Sequence, residues 1–165
     1  RGTMKAYAEY VRRSENPLPL LVADLGEQPA EAILREIGEP RLRGMLRLAG
    51  YIPNSDLPAI YNRASAFLYT SLRESFGIPQ LEAMACGTPV VTSATSAIPE
   101  VAGPGAILVD PTDPKAIADA LLRLETDAAF RARQVAYGLE RVKRFSWEKT
   151  ARHLLALYES LGKTN

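Results

Sequence analysis

Short apolar segments alternate with helical ones along most of the chain, and this alternation limits the possible folds more than any other feature. Five segments are short, apolar and bounded by turn residues, as buried strands are: residues 18–23, 45–49, 66–70, 89–92 and 106–109. Apolar residues at helical spacing occupy the intervals between them. Strands joined by helices pair in parallel, with helices on both faces of their sheet. The sequence therefore predicts an α/β fold with a mostly parallel sheet.

Capping and breaking residues set the predicted ends of the helices. A proline is tolerated in the first turn of a helix, whereas a glycine often follows the last turn. These signals predict a first helix that ends at Asn16-Pro17, one from Ser55 or Asp56 to 62, and others over 30–37, 79–86, 98–102, 114–125, 128–142 and 146–161. Sheets of this kind bind small ligands at the carboxyl ends of their strands, so the loops after the strands are the candidate sites.

Length, charge and composition exclude several classes of function. The 165 residues, 47% of them hydrophobic, fit one folded domain over residues 1–165. A net charge of +1 is too small for the basic surface of a general nucleic-acid binder, so no nucleic-acid partner is expected. A single cysteine and a single histidine argue against a multi-cysteine zinc site and a Ser–His catalytic pair. No strand is followed by Gly-x-Gly-x-x-Gly, which argues against a nicotinamide dehydrogenase.

Residues 70–89 form the most informative stretch, and they predict a strand, a loop, a helix and a turn into the next strand. Pro79 suits the first helical position, because its missing N–H would otherwise be unpaired. Gly77 lets the backbone approach a ligand closely. The amides around Gly77, Ile78 and Gln80 are then expected to point out of the helix start. Together with the helix dipole they would form an anion site suited to a diphosphate.

Two carboxylates bracket this predicted anion site. Glu74 lies in the loop before the helix, and Glu82 lies about one turn inside it. Ionised carboxylates accept hydrogen bonds from sugar hydroxyls, and a bond of this kind contributes roughly 1.5–3 kcal/mol. The spacing alone fits equally an exposed helical Glu82 and a Glu74 that only favours the helix start.

Seven residues separate Glu74 from Glu82, and residues 74–91 closely resemble the E-x7-E signature of the retaining glycosyltransferases of family four. Further segments resemble the same family in order: residues 50–53 with 56–64, then 98–103, 109–121 and 145–151. The resemblance covers nearly the whole chain. It implies a Rossmann-like domain that forms the C-terminal, donor-binding half of the two-domain GT-B fold.

By this resemblance the site binds a nucleotide-diphospho-sugar donor, linked to GDP or UDP. Glu74 is the candidate catalytic residue and would hold hydroxyls of the transferred sugar, whereas Glu82 would hold the ribose hydroxyls. The remaining donor contacts would come from backbone groups, to the sugar and diphosphate at Ser75, Phe76, Gly77 and Ile78, and to the base at Ile52. No metal cofactor is expected, since the sequence has no Asp-x-Asp pair and the helix dipole would stabilise the leaving diphosphate.

The sequence departs from the family pattern in three ways. The opening strand is missing, together with an arginine after it that neutralises the diphosphate; Arg1 is the candidate replacement for a lysine that the family usually has. Asp24 stands where the family commonly has a glycine; either it places a carboxylate near the nucleotide cleft and weakens diphosphate binding, or it only ends a strand. The N-terminal half, with the acceptor site, is absent too. We therefore expect the chain alone to bind donor at most and not to transfer sugar.

The resemblance implies transfer of a hexose, mannose in the nearest members, to a glycan or lipid-linked acceptor in surface-polysaccharide synthesis. The acceptor would bind through the missing N-terminal domain. Two alternatives stay open, a nucleotide-sugar epimerase of the same fold and a degenerate, non-catalytic binding module. A cytoplasmic location is expected, and the basic residues between 131 and 144 are either a solvated helix face or a contact with the inner membrane surface. The missing strand leaves a sheet edge open, which favours homodimerisation.

Three further residues are chemically distinctive. Cys86, at a helix end among small residues, is predicted to be a packed thiol. Trp147 follows the cap residue Ser146 and is predicted to pack the last helix against the core. His153 has no acidic or cysteine partner in view and is predicted to be a surface or packing residue.

Overall fold

The strands of the structure pair only in parallel, as the sequence predicts. β1 (Leu20–Ala23) pairs with β2 (Leu46–Gly50) in a two-stranded sheet. β3 (Phe67–Tyr69), β4 (Val90–Ser93) and β5 (Ala106–Val109) follow one another, in that order, in a three-stranded sheet. Each observed strand begins and ends within two residues of its predicted bounds.

Helices fill the intervals between these strands in a computed structural model that describes residues 1–162. Their bounds are α1 (Gly2–Arg13), α2 (Glu27–Ile37), α3 (Leu42–Met45), α4 (Leu57–Arg63), α5 (Ile78–Ala85), α6 (Ile98–Ala102), α7 (Pro114–Thr126), α8 (Ala128–Val142) and α9 (Trp147–Gly162). Two differences from the prediction stand out: α2 begins three residues early, after Gly26, and the short α3 has no predicted counterpart. Residues 163–165 of the predicted domain lie outside the described residues.

α1 lies across both sheets. Its Met4 and Tyr7 belong to a buried cluster with Leu46, against which β1 side chains pack. Its Ala6 belongs to a second cluster with Val91 of β4. The start of α1 is also tied to the end of β3, because the hydroxyls of Thr3 and Thr70 share a hydrogen bond of 2.7 Å. Within residues 1–162 the strands form two sheets, and not the single sheet that the sequence predicts. The helix α1 packs against both of them.

Helices cover both faces of the three-stranded sheet. On one face α5 and α6 pack through a buried cluster that includes Met84, Val90 and Ile98. On the other face α7 packs Ile117 against Val91. The central strand β4 is buried at all four positions. The predicted layers, with helices on both faces of parallel strands, are confirmed for this sheet.

α7 connects the two halves of the core and begins at a strong cap. The Asp113 carboxylate accepts hydrogen bonds from the amides of Lys115, at 2.9 Å, and Ala116, at 3.2 Å. A cap of this kind contributes about 1 kcal/mol to stability. Of the next two residues, Ile117 faces the cluster of the three-stranded sheet and Ala118 faces the cluster of the two-stranded sheet.

The last helix differs from the prediction. Trp147 is 80% exposed, and α9 contains no buried residue, so the prediction that Trp147 packs this helix on the core is wrong. Cys86 does pack against the cluster around Met84, as predicted for a structural thiol. Among the basic residues between 131 and 144, Arg141 is not simply solvated, because its guanidinium donates to the carbonyl oxygen of Val101 at 2.8 Å.

Alkaline pH is expected to weaken the α1 contacts through Tyr7. This side chain is buried, and its hydroxyl donates to the carbonyl oxygen of Leu18 at 2.6 Å. Burial, followed by the neighbouring Tyr10, raises the pKa of Tyr7 to about 12. Since the folded-state pKa lies above the unfolded one, the stabilisation is complete below about pH 10 and is lost as pH rises toward 12. Two pKa units correspond to about 2.7 kcal/mol.

Urea unfolding of the wild type and of Tyr7→Phe, between pH 8 and pH 11.5, checks this expectation. Both proteins will lose stability as their other groups titrate, but the wild type should lose about 2 kcal/mol more than the variant. Parallel losses in the two proteins would contradict a raised Tyr7 pKa.

Candidate functional site

The predicted site residues gather at the carboxyl ends of β3 and β4. The loop of residues 70–77 leaves β3 there, and residues 94–97 leave β4 beside it. Between the two loops lies an open cleft of about 490 Å³, lined by Arg73, Glu74, Ser75 and Ser96. In parallel sheets this edge is where ligands bind, since the loops that leave the strands converge on it.

Glu74 is half-buried and is held at three atoms. One carboxylate oxygen, Oε1, accepts a hydrogen bond from the Tyr69 hydroxyl at 2.5 Å. The Glu74 amide donates to Oγ of Ser96 at 3.2 Å, and that hydroxyl donates back to the Glu74 carbonyl oxygen at 2.6 Å. Ser96 has a φ of +58°, which for a serine costs about 1–3 kcal/mol. Within residues 1–162 no hydrogen bond reaches the other carboxylate oxygen, Oε2.

Two more hydroxyls of β4 hold the chain that leads to Glu74. Oγ1 of Thr92 donates to the carbonyl oxygen of Tyr69 at 2.9 Å, and Oγ of Ser93 donates to that of Ser71 at 2.6 Å. Both hydroxyl side chains are fully buried. Together with Ser96 they fix the backbone of the loop to β4. Sequence reasoning missed these residues, although the run of hydroxyls from 92 to 96 at a strand end was a signal.

Gly77 gives α5 its start, as the sequence predicts. Its φ is +87°, and a Cβ at this position would lie 2.8 Å from Nε2 of Gln80. The amides of Gly77 and Ile78 precede the first intrahelical hydrogen bond, and within residues 1–162 neither donates a backbone hydrogen bond. The prediction that the Gln80 amide is free as well is wrong, because it donates to the Gly77 carbonyl oxygen at 3.3 Å.

The buried side chain of Gln80 supports the loop of residues 70–77, a role that the sequence did not reveal. The side chain is fully buried, and its Nε2 donates to the carbonyl oxygen of Phe76 at 3.4 Å. Its Oε1 has no hydrogen-bond partner within residues 1–162. A buried amide oxygen without a partner costs free energy. The apolar residues around Gln80 in the sequence were the one available signal.

Glu82 is exposed one turn further along α5, and a second tyrosine reaches it. The Tyr61 hydroxyl, from α4, donates to Oε2 of Glu82 at 3.3 Å. The Tyr61 ring meets Phe67 edge-on at 5.2 Å, and Phe67 stacks on Tyr69 at 5.7 Å. Burial, followed by the negative charge of Glu82, raises the pKa of Tyr61 to about 12. Burial and the Tyr69–Glu74 hydrogen bond raise the pKa of Tyr69 well above its usual value.

The remaining predicted donor contacts are spread more widely. Ser75, Phe76 and Ile78 are exposed, but only Ser75 of these lines the cleft; Phe76 meets Phe145 edge-on at 5.7 Å. Ile52 is half-buried after β2, at the carboxyl edge of the other sheet. Arg1 is exposed, and its guanidinium forms an ion pair with Glu36 at 3.1 Å. The structure thus brings residues 74–78 and 82 together, whereas the recorded ion pair of Arg1 is with α2.

Asp24, where the family commonly has a glycine, has a left-handed backbone with a φ of +54°. Its amide donates to the Gly50 carbonyl oxygen at 2.9 Å, so it directly follows the paired ends of β1 and β2. Glycine adopts this conformation without a steric penalty, whereas aspartate tolerates it through its short polar side chain. The conformation explains the common glycine and places a carboxylate on the carboxyl edge.

Two further features of residues 1–162 bear on the chemistry. Their His, Cys, Asp and Glu side chains form no group of three or more that is suited to hold a metal ion. Among the helices of the same residues, none combines the length and the apolar composition that a membrane span requires.

Comparison with known proteins connects this geometry to a family. The family model described as "Glycosyl transferases group 1" matches residues 2–141. O-antigen chain mannosyltransferase B of Escherichia coli is 34% identical over 161 residues, which cover 98% of this chain and 42% of that protein. Among solved structures, sucrose-phosphate synthase from Thermosynechococcus elongatus has a TM-score of 0.83 and 27% identity, over 100% of this chain and 43% of that chain.

A second solved structure, Anabaena HepE in complex with UDP, has a TM-score of 0.81 and covers 94% of this chain and 44% of that chain. At 19% identity this likeness concerns the fold alone. The chain spans less than half the length of these three proteins. Its α/β fold is the predicted one, that of the corresponding part of GT-B glycosyltransferases. Since the family model covers residues 2–141, the chain belongs to the glycosyltransferases of group 1.

Proposed function

We propose that this chain is the C-terminal, donor-binding domain of a retaining glycosyltransferase and binds a nucleotide-diphospho-sugar. One observation carries the proposal: the two carboxylates of Glu74 and Glu82 flank the glycine start of α5 at the carboxyl edge of the sheet. Free amides at this start suit a diphosphate, and the carboxylates suit the hydroxyls on either side of it.

Each part of the donor has a counterpart in this arrangement. Glu74, held through Oε1 by Tyr69, offers Oε2 to hydroxyls of the transferred sugar. The backbone amides from Ser75 to Ile78 surround the diphosphate. Glu82 holds the ribose hydroxyls, and the backbone of Ile52 contacts the base.

The reaction requires stabilisation of negative charge on the leaving diphosphate. The N-terminus of α5 supplies a fixed positive dipole, and Gly77, with its left-handed backbone, is the residue at which that helix begins. Because these groups are in place before the reaction, little reorganisation opposes the departure of the diphosphate. Ser96, Thr92 and Ser93 keep the loop in this arrangement.

We further propose that the whole protein transfers a hexose to a glycan or lipid-linked acceptor in surface-polysaccharide synthesis, in the cytoplasm. The 34% identity with the O-antigen chain mannosyltransferase of Escherichia coli supports this reading and favours mannose. The acceptor site belongs to the part of the relatives that this chain does not cover.

Calorimetric titration of the chain with UDP, GDP and ADP tests the proposal. We expect one nucleotide to bind, and Glu82→Ala to weaken that binding about tenfold or more, because a charge-assisted hydrogen bond to ribose is lost. Glu140→Ala is the matched control, since this exposed glutamate lies on α8 and pairs with Lys143. Absence of binding to all three nucleotides, or equal weakening by the two substitutions, would sink the proposal.

Gly77→Ala is expected to reduce nucleotide binding more than stability alone explains. Alanine is strained at this positive φ, and its Cβ would lie 2.8 Å from the side-chain nitrogen Nε2 of Gln80. The buried Gln80 side chain or the loop must therefore shift. Gly38→Ala is the matched control, because Gly38 has a φ of +68° with nothing within 4 Å of the added Cβ. Each substitution should cost roughly 1 kcal/mol of stability in chemical denaturation, from the left-handed backbone. Only Gly77→Ala should weaken binding; unchanged affinity would exclude the loop from the diphosphate site.

Asp24→Asn is expected to tighten nucleotide binding a few-fold. The substitution removes a negative charge at the carboxyl edge, and asparagine tolerates the same backbone conformation. The gain should shrink as ionic strength rises, since salt screens interactions between exposed charges. Asp119→Asn on α7 is the control for net charge. Equal affinity of Asp24→Asn and wild type at low salt would show that Asp24 lies too far from the diphosphate to act.

A further inference from the structure

Each carboxylate of the proposed donor site accepts a hydrogen bond from one tyrosine hydroxyl of a neighbouring element. Tyr69, the last residue of β3, donates to Glu74 at 2.5 Å. Tyr61, on α4, donates to Glu82 at 3.3 Å. Both glutamates have flexible side chains, and a free glutamate in solvent samples many rotamers. A hydroxyl that takes one oxygen fixes the side chain and leaves the second oxygen to a ligand.

The two contacts differ in strength. The Tyr69 hydrogen bond has the short length of a charge-assisted O–H···O⁻ contact. The Tyr61 contact, at 3.3 Å, is longer than the usual range and therefore weaker. Tyr69 should accordingly restrict Glu74 more than Tyr61 restricts Glu82.

The tyrosines belong to one rigid support. Phe67 lies between them, edge-on to Tyr61 at 5.2 Å and stacked on Tyr69 at 5.7 Å. The buried hydroxyl of Thr88 donates to the Tyr61 carbonyl oxygen at 2.5 Å, and Thr92 donates to that of Tyr69 at 2.9 Å. Side-chain stacking and backbone anchors thus hold both hydroxyls in place before any ligand arrives.

Both hydroxyls stay protonated, and hence donors, across the physiological range. Burial, with the negative charge of Glu82, raises the pKa of Tyr61 to about 12. Burial and the hydrogen bond to Glu74 raise the pKa of Tyr69 further. A tyrosine that remains neutral and donating leaves its carboxylate partner free to accept from a sugar hydroxyl.

We propose that Tyr69 and Tyr61 are positioning residues for the donor: Tyr69 orients Glu74 toward the transferred sugar, and Tyr61 orients Glu82 toward the ribose. The inference rests on the proposed donor-binding function. It assigns the two tyrosines to different parts of one ligand, so their removal should have separable effects.

The test compares a nucleoside diphosphate with its sugar ester, UDP against UDP-glucose and GDP against GDP-mannose, by calorimetry on the full chain. The dissociation constant of the diphosphate divided by that of its sugar ester measures how much the sugar adds to affinity. Tyr69→Phe should reduce this ratio by about tenfold and leave the bare diphosphate unchanged, because only Glu74 is released. Tyr61→Phe should weaken the diphosphate and the sugar ester by one common factor, about two- to threefold for so long a hydrogen bond, and leave the ratio unchanged.

Tyr7→Phe is the control, since Tyr7 is a buried tyrosine whose hydroxyl donates to the Leu18 backbone, away from the cleft. This variant should change neither constant. Thermal melts of all variants verify the fold. The double variant Tyr69→Phe/Glu74→Ala should show the same ratio as Glu74→Ala alone, because Tyr69 acts only through Glu74.

The outcomes separate the two claims. Wild-type chain that binds no nucleotide would overturn the proposed function, and the positioning role with it. Wild-type binding with an unchanged ratio in Tyr69→Phe would overturn the positioning role alone. If Tyr69→Phe and Tyr7→Phe weakened the binding of both ligands equally, the tyrosines would have only a structural role, and the positioning role would be overturned. Additive effects in the double variant would overturn it as well.

Discussion

The parallel pairing of β4 between β3 and β5 supports every other feature of the site. β4 is buried at all four positions, and its backbone is paired on both sides. The hydroxyls of Thr92 and Ser93, at the end of this strand, are buried away from solvent. They therefore donate hydrogen bonds to backbone carbonyl oxygens of residues 69 and 71. Ser96 continues the series beyond the strand. The loop that carries Glu74 is thereby fixed to the most rigid part of the core.

This anchoring also explains how two carboxylates can flank one anion site without closing it. A mobile Glu74 would repel an approaching diphosphate and compete with it for the amides of the helix start. Tyr69 and Tyr61 each draw one carboxylate oxygen toward the aromatic stack. The start of α5 at Gly77 then lies between the two side chains. In the proposed function, this arrangement keeps the groups that would bind hydroxyls apart from those that would bind phosphate.

The amino-acid sequence predicted the strands well, because short apolar segments between turn residues leave few alternatives. It did not predict that they form two sheets, since the pairing depends on how α1 lies across β1 and β4. Glu74, Glu82 and Gly77 were found from a contiguous signature, whereas Ser96 bonds a residue 22 positions away, a partner that the run of hydroxyls from 92 to 96 does not identify. Trp147 was misjudged because side-chain size alone does not decide burial: no element within residues 1–162 buries α9.

Chemistry, and not the size of a cavity, decides which edge of the sheet is the site. A second depression of about 510 Å³ lies at the amino ends of β3 and β4, lined mainly by small and apolar residues with Arg131. It is slightly larger than the cleft at Glu74. Yet one arginine beside apolar side chains cannot orient a polar ligand, whereas outward amides, a helix dipole and two restrained carboxylates converge at the carboxyl edge. Parallel strands place all of these groups at that edge, because each helix start and each loop after a strand arises there.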